Sequence, residues 1–156
     1  MVNLFRALEF LGLSVWLGSD IFLSFVVAPG AFRVLAPNRD QAGAVVGFAL
    51  TKMHLIGIAC GVAMLLLRLL RTKSVANPAA LCVFLMIVLT VVSQIAVTPK
   101  MAALRTQMGS IQATAAESPL LADFAKLHQV SVTLESGVLI AGIVCMYFMV
   151  KELGRS

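Results

Sequence analysis

The chain has 156 residues, of which 60% are hydrophobic and 12% are charged, and its formal net charge is +5. With a mean hydropathy of +1.00, this composition excludes an ordinary soluble domain and predicts a polytopic membrane protein. The basic residues are scattered at the ends of apolar runs, as membrane topology requires, so the positive charge predicts lipid headgroups and not nucleic acid as the partner.

Four apolar segments are long enough to cross the hydrocarbon core, at about residues 7–28, 44–67, 79–97 and 127–150. The first is expected to be a retained span and not a cleaved leader, because Glu9 interrupts it. Residues 29–40 are expected to form a short amphipathic or re-entrant helix. Residues 100–123 are expected to continue as helix before a loop around Glu117. Because backbone groups in lipid must be hydrogen-bonded internally, the predicted fold is an all-α integral membrane four-helix bundle.

Shared polar residues indicate that a single transmembrane domain contains two tandem repeats of one helix hairpin, residues 1–74 and 75–156. The triplets Lys52-Met53-His54 and Lys126-Leu127-His128 each begin an apolar run, and the second follows the first by 74 residues. Each half also carries a proline and then an arginine upstream of its triplet: Pro29 and Arg33, Pro99 and Arg105. Two spans return the chain to its starting side, which predicts parallel repeats about an axis along the membrane normal.

Basic residues also suggest an orientation. Six lie on the side of the termini: Arg6, Arg68, Arg71, Lys73, Lys151 and Arg155. Three of these six fall in the short second loop, which predicts an inner-membrane protein with both termini in the cytoplasm. Arg33, Lys52, Arg105 and Lys126 are predicted to anchor the helices in the headgroup layer. Six residues are predicted to pack at helix interfaces: Trp16, Gly18, Pro29, Gly43, Gly47 and Pro99. Gly57 and Gly61 also have the spacing that allows close helix approach.

Polar residues inside the spans are costly, at about 2.5–3.5 kcal/mol for a central charge, and therefore need a role. They fall on three stripes at helical spacing: Glu9, Gly12, Trp16 and Asp20; Met86, Thr90 and Gln94; His128, Ser131 and Glu135. Two carboxylates at similar depth would share a proton or hold a cation. The stripes therefore predict an ion or proton site at Asp20, Glu135, Gln94 and Thr90. The alternative is that each carboxyl group only bonds a neighbouring helix and fixes the bundle.

The two histidines form a second candidate site. Residues two apart on a helix point in nearly opposite directions, so each lysine of the triplets is expected to face outward and each histidine inward. His54 and His128, one from each half and at matching height, could ligate haem iron or a transition metal. The alternative is a structural hydrogen-bonding role for each, and no motif in the sequence identifies a cofactor.

Soluble-type catalytic machinery is absent from the sequence, which shows no nucleophile elbow, phosphate loop or zinc motif. Cys60, Cys82 and Cys145 lie in apolar runs without a CxxC pattern, and the methionines do not form a metal-binding cluster. We therefore expect a non-enzymatic membrane component that handles protons, metal ions or a small solute, as a homo-oligomer or with a membrane-protein partner. The alternatives are a haem- or metal-binding redox subunit using His54 and His128, and a structural or assembly subunit of a larger membrane complex.

The chain resembles the transmembrane protein 205-like family of four-span membrane proteins along most of its length. The residues that carry the resemblance are Trp16-Leu17-Gly18 with Phe22, Val27-Ala28-Pro29 with Phe32, Ala42-Gly43, Pro99 to Arg105, and Phe124 to His128 with Ser131. It departs from the family pattern at Ser19 and Glu135. The resemblance implies the four-span fold and, through the association of eukaryotic members with platinum-drug resistance, membrane trafficking or metal-compound handling. A weaker similarity connects the chain to copper-resistance membrane proteins.

Overall fold

A computed structural model describes residues 2–74 and 76–154 and forms a bundle of four long helices. They are α1 (Val2–Val34), α2 (Arg39–Thr72), α3 (Pro78–Met108) and α4 (Pro119–Leu153). Each is long and apolar enough to cross a membrane, and the described residues contain no strand. The predicted all-α four-helix bundle is therefore confirmed, and it indicates a multi-pass membrane protein. Arg155, counted above among the basic residues, lies outside the described residues.

Short polar connections set where α2 and α3 begin and where α2 ends. The side chain of Asn38 accepts a hydrogen bond from the backbone N–H of Gln41, and Asn77 accepts one from that of Ala80. Both asparagines thus satisfy amide groups that a helix start leaves unpaired. Lys73 ends α2 in the left-handed conformation, with φ of 58°. The four helices consequently include every predicted span and extend beyond each.

Neither proline of the repeat ends its helix, contrary to the expectation of a separate short helix after residue 28. A proline inside a helix lacks an N–H and collides with the carbonyl four residues earlier. The chain accommodates each by one π-helical turn just before it, at Leu23–Val27 in α1 and Ser93–Val97 in α3. In these turns the N–H of Ala28 bonds Leu23 O, and that of Thr98 bonds Ser93 O. The π-turns widen both helices at the same level without breaking them.

Two different spacings relate the halves of the chain. The π-turns of α1 and α3 begin 70 residues apart, whereas α2 and α4 end 81 residues apart, at Thr72 and Leu153. The difference arises because the second connection, from Met108 to Pro119, is six residues longer than the first, from Val34 to Arg39, and because α3 continues four residues farther beyond its π-turn than α1 does. The spacing of 74 given by the two triplets matches neither value. The two-hairpin organisation remains a prediction, and the recurring π-turns are its structural support.

The apolar core lies between the helix faces on the side of the chain termini. The two helices of each predicted hairpin pack on each other, and the hairpins meet through α2 with α3 and α1 with α4. Trp16 is fully buried at the centre of this core. Its indole lies against Gly57 and Gly61, and a Cβ at Gly61 would come within 2.6 Å of Trp16 Cζ3. These glycines therefore have the close-packing role that their spacing predicts.

Of the other predicted packing positions, three are exposed and two pack against a neighbouring side chain. Gly18, Pro29 and Pro99 are exposed on the outer surface, and a Cβ at Gly18 would meet nothing within 4 Å. The expectation that these three pack at interfaces is wrong, because Gly18 faces away from the bundle and the prolines act on the helix backbone. Gly43 and Gly47 lie under the guanidinium of Arg105, where a Cβ at Gly43 would be 2.9 Å from Nη2.

An ion-pair network that the sequence did not predict joins three helices at the end near the termini. Arg68 of α2 is 3% exposed and contacts the carboxylate of Glu9 at 2.8 Å and that of Glu152 at 2.8 Å. Arg71 contacts the same two carboxylates at 3.1 and 3.4 Å. Arg68 also donates to Asn77 Oδ1. Both arginines are therefore structural residues inside α2 and not free charges of the loop.

Candidate functional site

His54 is the centre of a second polar cluster, which lies inside the bundle. The side chain is fully buried. Its Nδ1 lies 2.8 Å from Gln94 Oε1, and its Nε2 lies 2.7 Å from Glu135 Oε1. An amide oxygen only accepts hydrogen bonds, so Nδ1 carries a hydrogen and donates to Gln94. One proton is then shared between Nε2 and Glu135, as imidazolium with carboxylate or as neutral imidazole with carboxylic acid.

Glu135 has a second partner from the π-turn of α3. Ser93 is fully buried and donates from Oγ to Glu135 Oε1 at 3.1 Å. The other carboxyl oxygen, Oε2, is buried and has no hydrogen-bond partner among the described residues. The Glu135 side chain as a whole keeps 13% exposure. One oxygen of this carboxyl group is thus fixed, and the other is left for a proton or ligand.

Asp20 supplies a second carboxyl group to the cluster. It is 1% exposed, and its Oδ1 accepts a hydrogen bond of 3.3 Å from Ser24. Its Oδ2 is buried without a partner in the described part of the chain. Asp20 also interacts electrostatically with Glu135 and His54. The cluster thus contains two carboxyl groups and one imidazole, and no lysine or arginine makes an ion pair with either carboxylate within residues 2–74 and 76–154.

Four buried polar atoms near this cluster lack a hydrogen-bond partner among the described residues. They are Trp16 Nε1, Asp20 Oδ2, Thr90 Oγ1 and Glu135 Oε2. Trp16 lies one turn from Asp20 on α1, and Thr90 lies one turn from Gln94 on α3. Buried polar groups are normally satisfied, so unpaired donors and acceptors concentrated at one level of a bundle indicate a functional site.

Both π-turns supply side chains to this cluster. Ser24 lies in the turn of α1, and Ser93 and Gln94 lie in the turn of α3. At the 70-residue spacing of the turns, Asp20 corresponds to Thr90 and Ser24 to Gln94. At the 81-residue spacing of the helix ends, His54 corresponds to Glu135, its hydrogen-bond partner. The cluster therefore lies where corresponding positions of the two halves meet.

The four residues predicted as an ion or proton site lie at the cluster or within one turn of it. Gln94 and Glu135 both contact His54, Asp20 interacts with both members of the His54–Glu135 pair, and Thr90 is buried one turn from Gln94. His54 faces the interior as expected, but beside Glu135 and Gln94 and not beside His128. Two further members, Ser24 and Ser93, were missed by sequence reasoning. The signal that could have found Ser24 is its 70-residue spacing from Gln94 in the register set by the prolines.

His128 does not join His54, contrary to the expectation that both face the interior at matching height. It is exposed. At the 81-residue spacing of the helix ends, the position that corresponds to His54 is Glu135, which lies seven residues beyond His128. His128 therefore lies about two turns, or about 10 Å, from the level of His54 and Glu135. No group of three or more His, Cys, Asp or Glu that could hold a metal ion occurs in the described residues.

Of the four predicted headgroup anchors, three are exposed and one is partly buried. Arg33, Lys52 and Lys126 are exposed; Lys52 lies over the ring of Phe48, and Lys126 pairs with Asp123 at 3.3 Å. Arg105 instead lies partly buried and donates to Gly43 O at 2.8 Å. The two glycines of α2 leave room for the guanidinium against the helix, so Arg105 joins α3 to α2.

Comparison with known proteins gives one match. A family model described as "Domain of unknown function (DUF4149)" matches residues 11–110. No curated protein and no solved structure matches the chain. The matched region includes Asp20, His54, Ser93 and Gln94, and Glu135 lies beyond it.

Proposed function

We propose that this chain, which belongs to the DUF4149 family, is a non-enzymatic membrane protein. It moves protons through the site of Asp20, His54 and Glu135. The observation that supports this most strongly is the excess of buried acid over base. With the imidazole protonated and both carboxyl groups ionised, the cluster would carry one net negative charge. An uncompensated buried charge is strongly unfavourable. One further proton bound by the cluster removes it.

The contacts assign different roles to the two carboxyl groups. Glu135 shares its proton with His54 across 2.7 Å, so moving that proton changes no net charge. Asp20 has only the Ser24 hydroxyl as a hydrogen-bond donor, and its Oδ2 is unpaired among the described residues. We therefore assign the exchangeable proton to Asp20, with the His54–Glu135 pair as the adjacent donor and acceptor.

A proton suits this cluster better than a transition metal. Both imidazole nitrogens are already engaged by Gln94 and Glu135, so a metal would have to displace one of these partners. The exposed position of His128 removes the second imidazole that a haem or redox role would use. From the resemblance to transmembrane protein 205-like and copper-resistance proteins, this proposal uses only the four-span architecture. The resemblance supports no particular ligand or reaction.

For the membrane placement, we propose the inner membrane, with both termini in the cytoplasm. Arg68 and Arg71 are held in ion pairs with Glu9 and Glu152, which leaves Lys73 as the basic residue of the short second loop. We also propose that this small chain self-associates or assembles with a membrane-protein partner.

Proteoliposomes with an imposed pH gradient and an internal pH dye test the proton-moving activity. The wild-type protein is expected to dissipate the gradient faster than empty liposomes, and Asp20→Asn is expected to abolish the difference. Asp123→Asn is the matched control, because Asp123 is 59% exposed and lies outside the cluster. Equal rates for wild type and Asp20→Asn would reject proton movement through this site.

A further inference from the structure

We infer that the cluster of Asp20, His54 and Glu135 exchanges only with the membrane side opposite the chain termini, because the apolar core seals it from the terminal side. This inference rests on the proposed function for the identity of the exchanged species. The seal itself follows from the positions of buried residues and can be tested without any proton measurement.

Every member of the packed apolar core cluster lies between the polar cluster and the termini. Other buried apolar side chains, namely Leu23, Ala42, Met53 and Val97, lie at or beyond the polar cluster and do not belong to that packed core. On α1 and α3 the core residues precede Asp20 and Thr90 in sequence; on α2 and α4 they follow His54 and Glu135. They are Leu13, Trp16, Leu17, Met64, Ala79, Val83, Met86, Val138, Ala141, Cys145 and Met149, with exposures of 0–7%. Since α1 and α3 run in the opposite direction to α2 and α4, all of these residues lie toward the same end of the bundle.

The thickness of this layer can be estimated from the helices. Fourteen residues of α2 separate His54 from Arg68, which is about 21 Å of helix. Trp16 lies within this layer, against Gly57 and Gly61 of the facing helix. The Glu9–Arg68–Arg71–Glu152 network then ties the helix ends together beyond the layer. A proton cannot cross such a dry layer unless the helices separate.

The other side of the cluster carries polar groups beside a few buried apolar side chains. Thr51 of α2, Thr98 of α3 and Ser131 of α4 all lie between the cluster and the far end. Thr51 bonds Gly47 O and Thr98 bonds Ser93 O, so each keeps a hydroxyl oxygen as a further acceptor. The side chain of Glu135 itself is 13% exposed. Polar side chains therefore occur at several levels between the far end of the bundle and Glu135.

The structure is thus that of a state sealed toward the terminal side, with polar groups toward the other. Movement of a proton across the membrane then requires a second state, in which Trp16 leaves Gly57 and Gly61 and the core separates. This is the arrangement of an alternating-access protein, in which one half of the bundle rocks against the other around a fixed central site.

Labelling of single cysteines tests this inference. In a background with Cys60, Cys82 and Cys145 replaced by alanine, Ser131→Cys places a thiol on the far side of the cluster and Val83→Cys places one in the core. Both substitutions are close in volume to the native side chain. A charged, membrane-impermeant methanethiosulfonate reagent is applied to sealed vesicles of each orientation. A protease-sensitive tag at the C-terminus shows which face carries the termini.

The Ser131→Cys variant is expected to be labelled only when the reagent is on the side opposite the termini, and the Val83→Cys variant from neither side. Labelling of Ser131→Cys from the terminal side, no labelling of it from either side, or labelling of Val83→Cys from the terminal side would overturn the inference. Because the reagent reports access alone, the expected labelling pattern with no proton flux would reject the proposed function and leave the seal standing.

Discussion

Replacing Arg68 with methionine is expected to destabilise the protein by about 3–5 kcal/mol, the usual cost of leaving a buried charge without its partner. Arg68 is 3% exposed and contacts Glu9, which is 1% exposed, at 2.8 Å. Methionine keeps the length and apolar stem of the side chain, so the loss is one of charge and hydrogen bonds. We expect the lower end of the range, because Arg71 still contacts Glu9 at 3.1 Å. Unfolding monitored by circular dichroism in detergent measures the effect.

Arg33→Met is the matched control, since Arg33 is exposed, and such surface changes usually stay within about 0.5 kcal/mol. The double variant Glu9→Gln with Arg68→Met should recover part of the loss, because it removes the charge left behind. Equal destabilisation by Arg68→Met and Arg33→Met would show that the buried network does not contribute to stability.

Gly57→Ala is expected to destabilise the bundle by about 1–3 kcal/mol, the range for overpacking a close-packed core. The added Cβ would collide with Cδ1, Nε1 and Cε2 of the Trp16 indole. The ring cannot move without disturbing the core around it. Trp16 is the single tryptophan of the chain, so its fluorescence reports the displacement directly, and thermal unfolding in detergent reports the loss of stability.

Gly18→Ala provides the comparison at an exposed site of α1 with open space around its Cα. Alanine has the higher helix propensity, by about 1 kcal/mol, so this variant should be neutral or slightly more stable, with unchanged Trp16 emission. If Gly57→Ala behaves like Gly18→Ala in both measurements, then the indole does not lie against α2 as described.

The fold was largely predictable because composition and apolar segment length determine it in a membrane. All four predicted spans lie inside the four helices, and Asp20, Thr90, Gln94 and Glu135 are buried or partly buried within one turn of the His54 cluster. The helix ends were less predictable. Pro29 indicated a separate short helix after residue 28, whereas a π-turn of five residues absorbs it inside a continuous helix, as a second π-turn does for Pro99. Nothing local in the sequence distinguishes these two outcomes.

The register of the second hairpin could not be obtained from shared residues alone. The Lys–x–His triplets gave a spacing of 74, but α2 and α4 end 81 residues apart. The extra length of the second half, in α3 and in its connection to α4, shifts His128 by two turns, so Glu135 takes the position opposite His54. The same 81-residue spacing joins Arg71 to Glu152 in the ion-pair network. Such pairs depend on the relative height of two packed helices, which is determined by the length of chain between them and not by which residues the two halves share.

Infrared difference spectroscopy of the purified protein between acidic and neutral pH tests the central claim, that the buried cluster reversibly binds a proton. The chain has seven aspartates and glutamates, so individual carboxyl bands can be assigned with single variants. A protonated-carboxyl band that is present in the wild type and in Asp123→Asn, and lost in Asp20→Asn, is the predicted result. If Asp20→Asn and Glu135→Gln each leave the difference spectrum unchanged while the protein stays folded, the cluster binds no exchangeable proton and the account is wrong.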